Sequence, residues 1–316
     1  MTGSGRILVI KLSALGDMVL AFPAFDRIRA AHPEAHLTLL TTAPYASLAA
    51  GGPWFDAVES DGRPRHLAGA LALIGRLRRR RYDRVYDLQG NDRTNLLFQA
   101  LRPFPPPWSG VAFGCALPHR DRRRMDQHTL ERHAGQLGDA GIWPNAPVSP
   151  GAAPAPDIAW MPRAPDGAPA DTRPVALLVP GAAPRRPAKR WPGARYAELA
   201  RRLRNRGLAV RLIGGLAEID LAREIEAAVP GVVNLVGMTD FAGIAALGAR
   251  AALAVGNDTG PMHLIAAAGA PCVSLFSADS DPALCAPRGR VTILREPDLA
   301  NLGVDAVHAA ALAIMD

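Results

Sequence analysis

Apolar positions along this chain alternate between two textures. The runs RILVIK (6–11), LTLLTT (37–42), VALLVP (175–180) and PCVSLF (271–276) are continuous and rich in Leu, Ile and Val. That is the pattern of strands buried on both faces. DRVYDLQG (83–90), AVRLIGG (209–215) and LAVG (253–256) predict further strands, each stopping at a polar or glycine turn. Between the strands, apolar residues recur three and four apart, which predicts helices. These are MVLAFPAFDRIRAAHP (18–33), LAGALALIGRLRRRRY (67–82), RTNLLFQALR (93–102), GARYAELARRLRNRG (193–207) and EIDLAREIEAAVP (218–230). FAGIAALGARA (241–251), GPMHLIAAAG (260–269) and VDAVHAAALAIM (304–315) complete the set, and SALGD (13–17) reads as a turn. Strand–helix alternation of this kind indicates βαβ units and parallel sheets.

The alternation is interrupted once. NAPVSPGAAPAPDIAWMPRAPDGAPADTRP (145–174) is dominated by Pro, Ala and Gly and sustains neither a helix nor a central strand. The expectation is an α/β protein with two doubly wound domains: 1–150, a linker at 151–173, and 174–300. Residues 301–316 are expected to form a helix that packs back on the first domain. A chain of 316 residues suits two cores better than one. In such sheets ligands sit beyond the carboxyl ends of the strands, where the polar clusters of this sequence fall.

Charge narrows the class of partner. The formal net charge is +7, and much of it lies in Arg78–Arg81, Arg120–Arg124, Arg185–Arg190 and Arg201–Arg206. Such a field favours anions such as nucleotides, phosphorylated lipids or an acidic membrane surface. Nucleic acid is disfavoured, because only 5% of residues are aromatic and none interleave with the basic runs. Cys115, Cys272 and Cys285 have no metal-ligand or disulfide-framework spacing, which suits a reducing compartment. No apolar run reaches the roughly 18 residues of a membrane helix, and the N-terminal apolar segment is broken by Lys11 and Asp17. A cytoplasmic protein is expected.

Four stretches carry the candidate chemistry. There is no GxxxxGK[ST] and no GxGxxG after a strand, so the usual phosphate cradles are absent. KLSALGD (11–17) brings Asp17 to the start of a helix, either as a cap or as a general base facing a cleft. Gly16 would let an acceptor approach the backbone. DLQGNDR (87–93) sets Asp87, Gln89, Asn91 and Arg93 at the same sheet edge, or is a capped polar turn. PGAAPRRPAKRWP (180–192) carries Arg185, Arg186, Lys189 and Arg190 on an irregular loop placed for a pyrophosphate, or is a solvated basic loop. GNDTGPMHLIAAAGAP (256–271) follows a strand with Asp258 and Thr259 poised to cap a helix beginning at Gly260 and Pro261. A helix start of this kind is also an anion site; His263 lies one turn in.

ILVIKLSALGDMVLAFPAF, DLQG, KRWP and GNDTGPMHLIAAAGAP, in this order, resemble the lipopolysaccharide heptosyltransferases of glycosyltransferase family 9. The resemblance runs through most of the chain. It implies a GT-B fold of two Rossmann-like domains facing a cleft, the first binding the acceptor and the second an ADP-sugar. It implies an inverting transfer of heptose to the lipopolysaccharide inner core, with no metal and no cofactor beyond the nucleotide-sugar co-substrate. Asp17 then maps to the base. Lys189, Glu218, Asp258, Thr259, Gly260 and His263 map to the donor site, and Ser13, Gly16, Gln89, Arg93 and Arg120 to the acceptor side. Arg120 and QHTLER (127–132) resemble a basic region that meets acidic sugars or lipid phosphates. The partner implied is an anionic lipid-linked saccharide, with peripheral contact at the cytoplasmic face of the inner membrane.

Two stretches depart from the family pattern. LFSADSDP (275–282) replaces the family's Phe-Gly-Pro-Thr and nearby Pro, and QGNDRTN (89–95) is more polar than the usual sequence after QG. Both bear on donor and acceptor preference. A family 9-like transferase using another nucleotide sugar, or a protein or small-metabolite acceptor, is the alternative. A sugar-nucleotide epimerase of related fold would need an acid/base set that the sequence does not display.

Overall fold

The computed structural model describes residues 5–162, 172–182 and 187–316. The chain divides into two compact units, Met1–Pro154 and Ala155–Asp316. In the first, β1 (Arg6–Ile10), α1 (Leu15–Val19), α2 (Phe22–Ala31), β2 (His36–Leu40), α3 (Ala43–Ala50) and β3 (Ala57–Glu59) form one half. α4 (Leu67–Arg80), β4 (Arg84–Asp87), α5 (Asp92–Ala100), β5 (Trp108–Gly110), β6 (Leu117–Pro118) and α6 (Thr129–Asp139) form the other. The strands run parallel in the order β3-β2-β1-β4-β5-β6.

The second unit repeats this plan. It contains β7 (Val175–Val179), α7 (Gly193–Asn205), β8 (Ala209–Leu212), α8 (Ile219–Ala228), β9 (Val233–Asn234) and α9 (Phe241–Arg250). β10 (Ala251–Asn257), α10 (Gly260–Ala267), β11 (Cys272–Phe276), α11 (Pro282–Cys285), β12 (Val291–Arg295) and α12 (Val304–Met315) follow. Its parallel order is β12-β11-β10-β7-β8-β9. Both sheets therefore have the 3-2-1-4-5-6 connectivity of the doubly wound fold, in which the crevice opens where the strand order reverses. Those points lie between β1 and β4 and between β7 and β10.

The apolar runs become the strands for a plain reason: helices cover both faces, so nearly every position is inside. In β1, Ile7 to Ile10 are at most 3% exposed. One face of the first sheet packs with Leu73 and Leu77 of α4 and Phe98 of α5, over Leu8, Ile10, Val85 and Trp108. In the second unit, Leu178, Val255, Val273 and Leu275 pack with Leu199 and Leu203 of α7.

One sequence expectation changes, and two segments become better defined. SALGD is not wholly a turn, since α1 begins at Leu15 and the 18–33 helix splits into α1 and α2. Pro23 accounts for the break: it lacks an amide hydrogen and fits only the first turn of a new helix. The C-terminal helix places Val307, Ala311 and Ile314 of α12 in the second unit's core. The described part of the 151–173 linker is free of helix and strand, as its composition demands, but it is not a solvated tether. Ala153 is buried with Leu20 and Leu130 of the first unit, and Ile158 and Met161 are buried in the second. Residues 163–171 lie outside the described residues.

Candidate active site

The two reversal points put four loops at carboxyl strand ends, and these are the four stretches singled out from the sequence. In the first unit, β1 and β4 end level, with Ile10 opposite Asp87. Gln89, in the loop after β4, fixes the turn after β1. Its Oε1 accepts from the N–H groups of Leu12 at 2.8 Å and Ser13 at 3.4 Å. Asp17 is the third residue of α1 and half-buried. Its Oδ2 accepts from the Ala14 N–H at 3.0 Å, so it does cap its helix, reaching back from inside rather than from the cap position. Gly16 is buried beside it, and the Ser13 hydroxyl accepts from the Arg63 guanidinium.

The structure thus gathers Ser13, Gly16, Asp17 and Gln89. Arg93 is the second residue of α5, exposed and close to the same edge. Arg120 is exposed after β6, three strand spacings from β1, or about 14 Å. In the 127–132 stretch His128, Thr129 and Glu131 are buried at the start of α6, while Gln127 and Arg132 are half-buried.

Below this edge lies polar scaffolding. Lys11 is buried and its Nζ donates to the Leu88 carbonyl at 3.3 Å. His133 Nε2 meets the same carbonyl at 3.2 Å, and Gln136 Nε2 donates to the Asp87 carbonyl at 3.0 Å. The Asp87 carboxylate accepts from the N–H groups of Gln89 and Gly90 at 3.1 and 3.0 Å, shaping the turn that presents Gln89. Burial raises the Asp87 carboxyl to about 6, against the lowering effect of these bonds, of Thr94 and of Lys11. Burial also lowers Lys11, which Asp17 and Asp87 oppose. His133 is held well below the ordinary histidine range by burial, with Lys11 and Arg132 adding to it.

In the second unit, Val179 stands opposite Gly256 at the corresponding strand ends. Asn257 is fully buried and joins three segments. Its Nδ2 donates to the carbonyls of Pro180 at 2.7 Å and Gly181 at 3.2 Å. Its Oδ1 accepts from the Trp191 N–H at 3.1 Å and the Tyr196 hydroxyl at 3.0 Å. Trp191 is itself anchored by its indole N–H, which donates to the Leu302 carbonyl at 2.8 Å. This brings Lys189, two residues earlier and 8% exposed, onto the Asp258 carboxylate as a buried ion pair. Arg185 and Arg186 lie outside the described residues.

The expected capping at 258–259 is also corrected. Thr259 is the N-cap of α10 but makes no side-chain cap bond, and the described bond of Asp258 goes to Lys189. The first amides of α10 are therefore not taken up by the side chain that would normally cap them. Pro261 sits in the first turn, Gly260 begins the helix, and His263 is buried one turn in.

Beside that helix start is a cavity of about 310 Å³ lined by Gly181, Gly214, Gly215, Leu216, Glu218 and Thr259, among others. Glycine at 181 leaves room for Glu218, since a Cβ there would stand 2.7 Å from Glu218 Cγ and displace the carboxylate side chain. Glu218 Oε2 accepts from the Gly215 N–H at 2.9 Å, which holds the carboxylate at the cavity wall. Leu216 lines the cavity while 74% exposed, an apolar surface against which a flat ring could rest. The divergent FSADSDP stretch is a loop that leads into α11, with the Asp281 carboxylate capping that short helix by accepting from the Ala283 N–H at 3.0 Å.

The family described as Glycosyltransferase family 9 (heptosyltransferase) matches residues 70–300. The chain belongs to glycosyltransferase family 9. It is accordingly a glycosyltransferase, as the resemblance of its four motifs implied. Lipopolysaccharide heptosyltransferase 2 of Salmonella typhimurium is 30% identical over 305 residues, covering 87% of this chain and 83% of that protein. Lipopolysaccharide heptosyltransferase 1 of Pseudomonas aeruginosa is also 30% identical over 305 residues, covering 90% and 82%. The solved structure of E. coli ADP-heptose lps heptosyltransferase II aligns over 98% of both chains with a TM-score of 0.80 and 25% identity. The two-sheet GT-B fold expected from the sequence is therefore established for this family member.

Sequence reasoning missed Arg63, Leu216 and His133 as parts of these edges, and gave Asn257, inside the 256–271 stretch, no role of its own. Asn257 had a visible signal: a strand running Ala-Val-Gly-Asn ends on a polar residue before the loop begins. Arg63 and Leu216 lie in turns with no periodicity, and nothing local marks them.

Proposed function

We propose that this family 9 glycosyltransferase moves a heptose from ADP-heptose to a hydroxyl of the lipopolysaccharide inner core, with inversion and without a metal. The observation that carries the reading is the pairing of two different strand-end sites. One presents a half-buried carboxylate, Asp17, on a turn held by Gln89. The other presents the start of α10 with no side-chain cap, beside a buried Lys189–Asp258 pair and a glycine-lined cavity. The names of the relatives supply the sugar and the acceptor class.

In this reading Asp17 takes the proton from the acceptor hydroxyl. The oxygen attacks the anomeric carbon from the face opposite ADP. The departing diphosphate is met by the first amides of α10, by Thr259 and by Lys189, whose orientation Asp258 fixes. Glu218 takes the ribose hydroxyls and Leu216 the adenine face. His263 and Asp258 reach the sugar and phosphate, with Gly260 keeping the helix entry open. Ser13, Gly16, Arg93 and Arg120 meet the anionic acceptor, while Gln89 acts by holding the turn. The net charge of +7 favours peripheral contact with an acidic membrane face. Among the described residues no helix is long and apolar enough to cross a membrane.

The test is mass spectrometry of the product formed from ADP-heptose with two core acceptors, one lacking heptose and one carrying a single heptose. Addition of one heptose to either supports the proposal, and the acceptor used assigns the hydroxyl. Turnover with GDP- or UDP-sugars and none with ADP-heptose would refute it. Equal identity to a heptosyltransferase 1 and a heptosyltransferase 2 makes both acceptors necessary.

A further inference from the structure

A second cavity, of about 500 Å³, lies in the first unit, and of its lining only Arg93 enters the functional reading above. Its floor is Ile10, Leu12 and Leu40 at the ends of β1 and β2, and its walls include Ile74 of α4 and Leu97 and Ala100 of α5. The lining is overwhelmingly apolar. α4 has more apolar surface than the sheet can cover. Leu77 enters the core, Leu73 is buried between core and cavity, Ala70 and Ile74 also line the cavity, and Leu67 and Leu71 on the adjoining stripe are 75% and 59% exposed. Leu96 of α5 lines the same cavity at 69% exposure. Exposed leucines around a concave apolar site mark a place for an apolar ligand.

Charge and position identify that ligand. Arg93 lines the cavity, and Arg63 and Arg65 belong to the loop whose Gly62 and Pro64 line it. Arg63 also reaches the Ser13 hydroxyl. The nearby carboxylates Glu59 and Asp61 are already paired, both with Arg76. The floor residue Leu12 is followed directly by Ser13 and the turn that carries Asp17. We propose that this cavity holds a hydrocarbon chain of the anionic lipid-linked acceptor, with Arg63 and Arg93 meeting the acidic head at its mouth. This rests on the functional reading above for the identity of the acceptor, but not for the chemistry of the cavity.

The test uses the full chain, with dodecyl phosphate below its micelle concentration as the probe and inorganic phosphate as control, followed by calorimetry. Saturable one-to-one binding of dodecyl phosphate, with none of inorganic phosphate, is expected. Ala100→Trp, which fills the cavity from a half-buried position, is expected to weaken it at least about tenfold, as loss of a few buried methylenes should. Leu96→Asp, at an exposed wall position where folding is not at risk, should do the same. In transfer assays both variants should raise KM for an acylated acceptor and leave a fully deacylated acceptor and ADP binding unchanged. Absence of dodecyl phosphate binding, or equal affinity in wild type and both variants, overturns the proposal and leaves the functional reading intact. Probe binding that depends on the cavity in a protein that transfers no heptose upholds the site and refutes the functional reading instead.

Discussion

The two strand-order reversals share a topology and solve the same construction problem by different means. At β1/β4 the loops are held by side chains buried beneath them: Lys11, Asp87, His133 and Gln136 reach the backbone of residues 87–90. At β7/β10 the loops are held by one amide, Asn257, and by glycines that let segments touch. The first arrangement places ionisable groups just behind the reacting edge. The second leaves the edge itself to backbone amides. That difference matches the proposed division of labour, in which one unit manages a proton and the other an anion, since a diphosphate needs fixed donors.

The contrast can be broken most severely at Asn257. Asn257→Ala leaves the Pro180 carbonyl and Trp191 N–H without their side-chain partner, and should cost about 4 kcal/mol in chemical denaturation, at 1–3 kcal/mol per buried group. Asn257→Asp should fail to restore it, because a carboxylate accepts but cannot donate to Pro180. A near-neutral result for Ala would mean that the loops hold themselves.

The ionisable character of the first edge predicts a pH effect. The folded Asp87 carboxyl is raised to about 6, above its unfolded value, so the native state binds the extra proton between roughly pH 4 and 6. Its contribution to stability is therefore lost as pH rises through that window. Relative to Asp87→Asn, the wild type should gain stability on acidification from pH 7 to pH 4, by no more than about 3 kcal/mol. Parallel stability curves for the two proteins would show that Asp87 does not titrate there. Asn257 is itself neutral, so Asn257→Ala should shift stability by the same amount at every pH.

The smallest expected effect is at Gly181. A methyl group would press on Glu218 Cγ, so Gly181→Ala should raise KM for the nucleotide sugar about tenfold, or 1.4 kcal/mol, with a smaller change in kcat. An unchanged KM would remove Glu218 from the donor site.

Much of this architecture was legible because the strands are buried on both faces and read as apolar runs. The same logic explains what was not. α6 buries Thr129, Glu131, His133 and Gln136 together with Leu130, Ala134 and Leu137, so polar residues share its inward face and dilute the apolar stripe. β5 and β6 are three and two residues long, below the length at which alternation can be recognised. Position on the chain made Asp17, Lys189 and Asp258 candidates, and the family resemblance added Glu218. Partnership required the fold: no local pattern shows that Asp258 would take Lys189 rather than cap α10, or that Gln89 would spend its carbonyl on the turn carrying Asp17.

The division of labour itself is tested most directly by comparing Asp17→Asn with Lys189→Met in two assays on the same preparations, calorimetric ADP binding and heptosyl transfer. Asp17→Asn should bind ADP as the wild type does and lose transfer by about 10²- to 10⁴-fold, the range of a general base. Lys189→Met should lose both, with ADP affinity falling together with turnover. Near-normal transfer by Asp17→Asn, or loss of its ADP binding, would contradict the account.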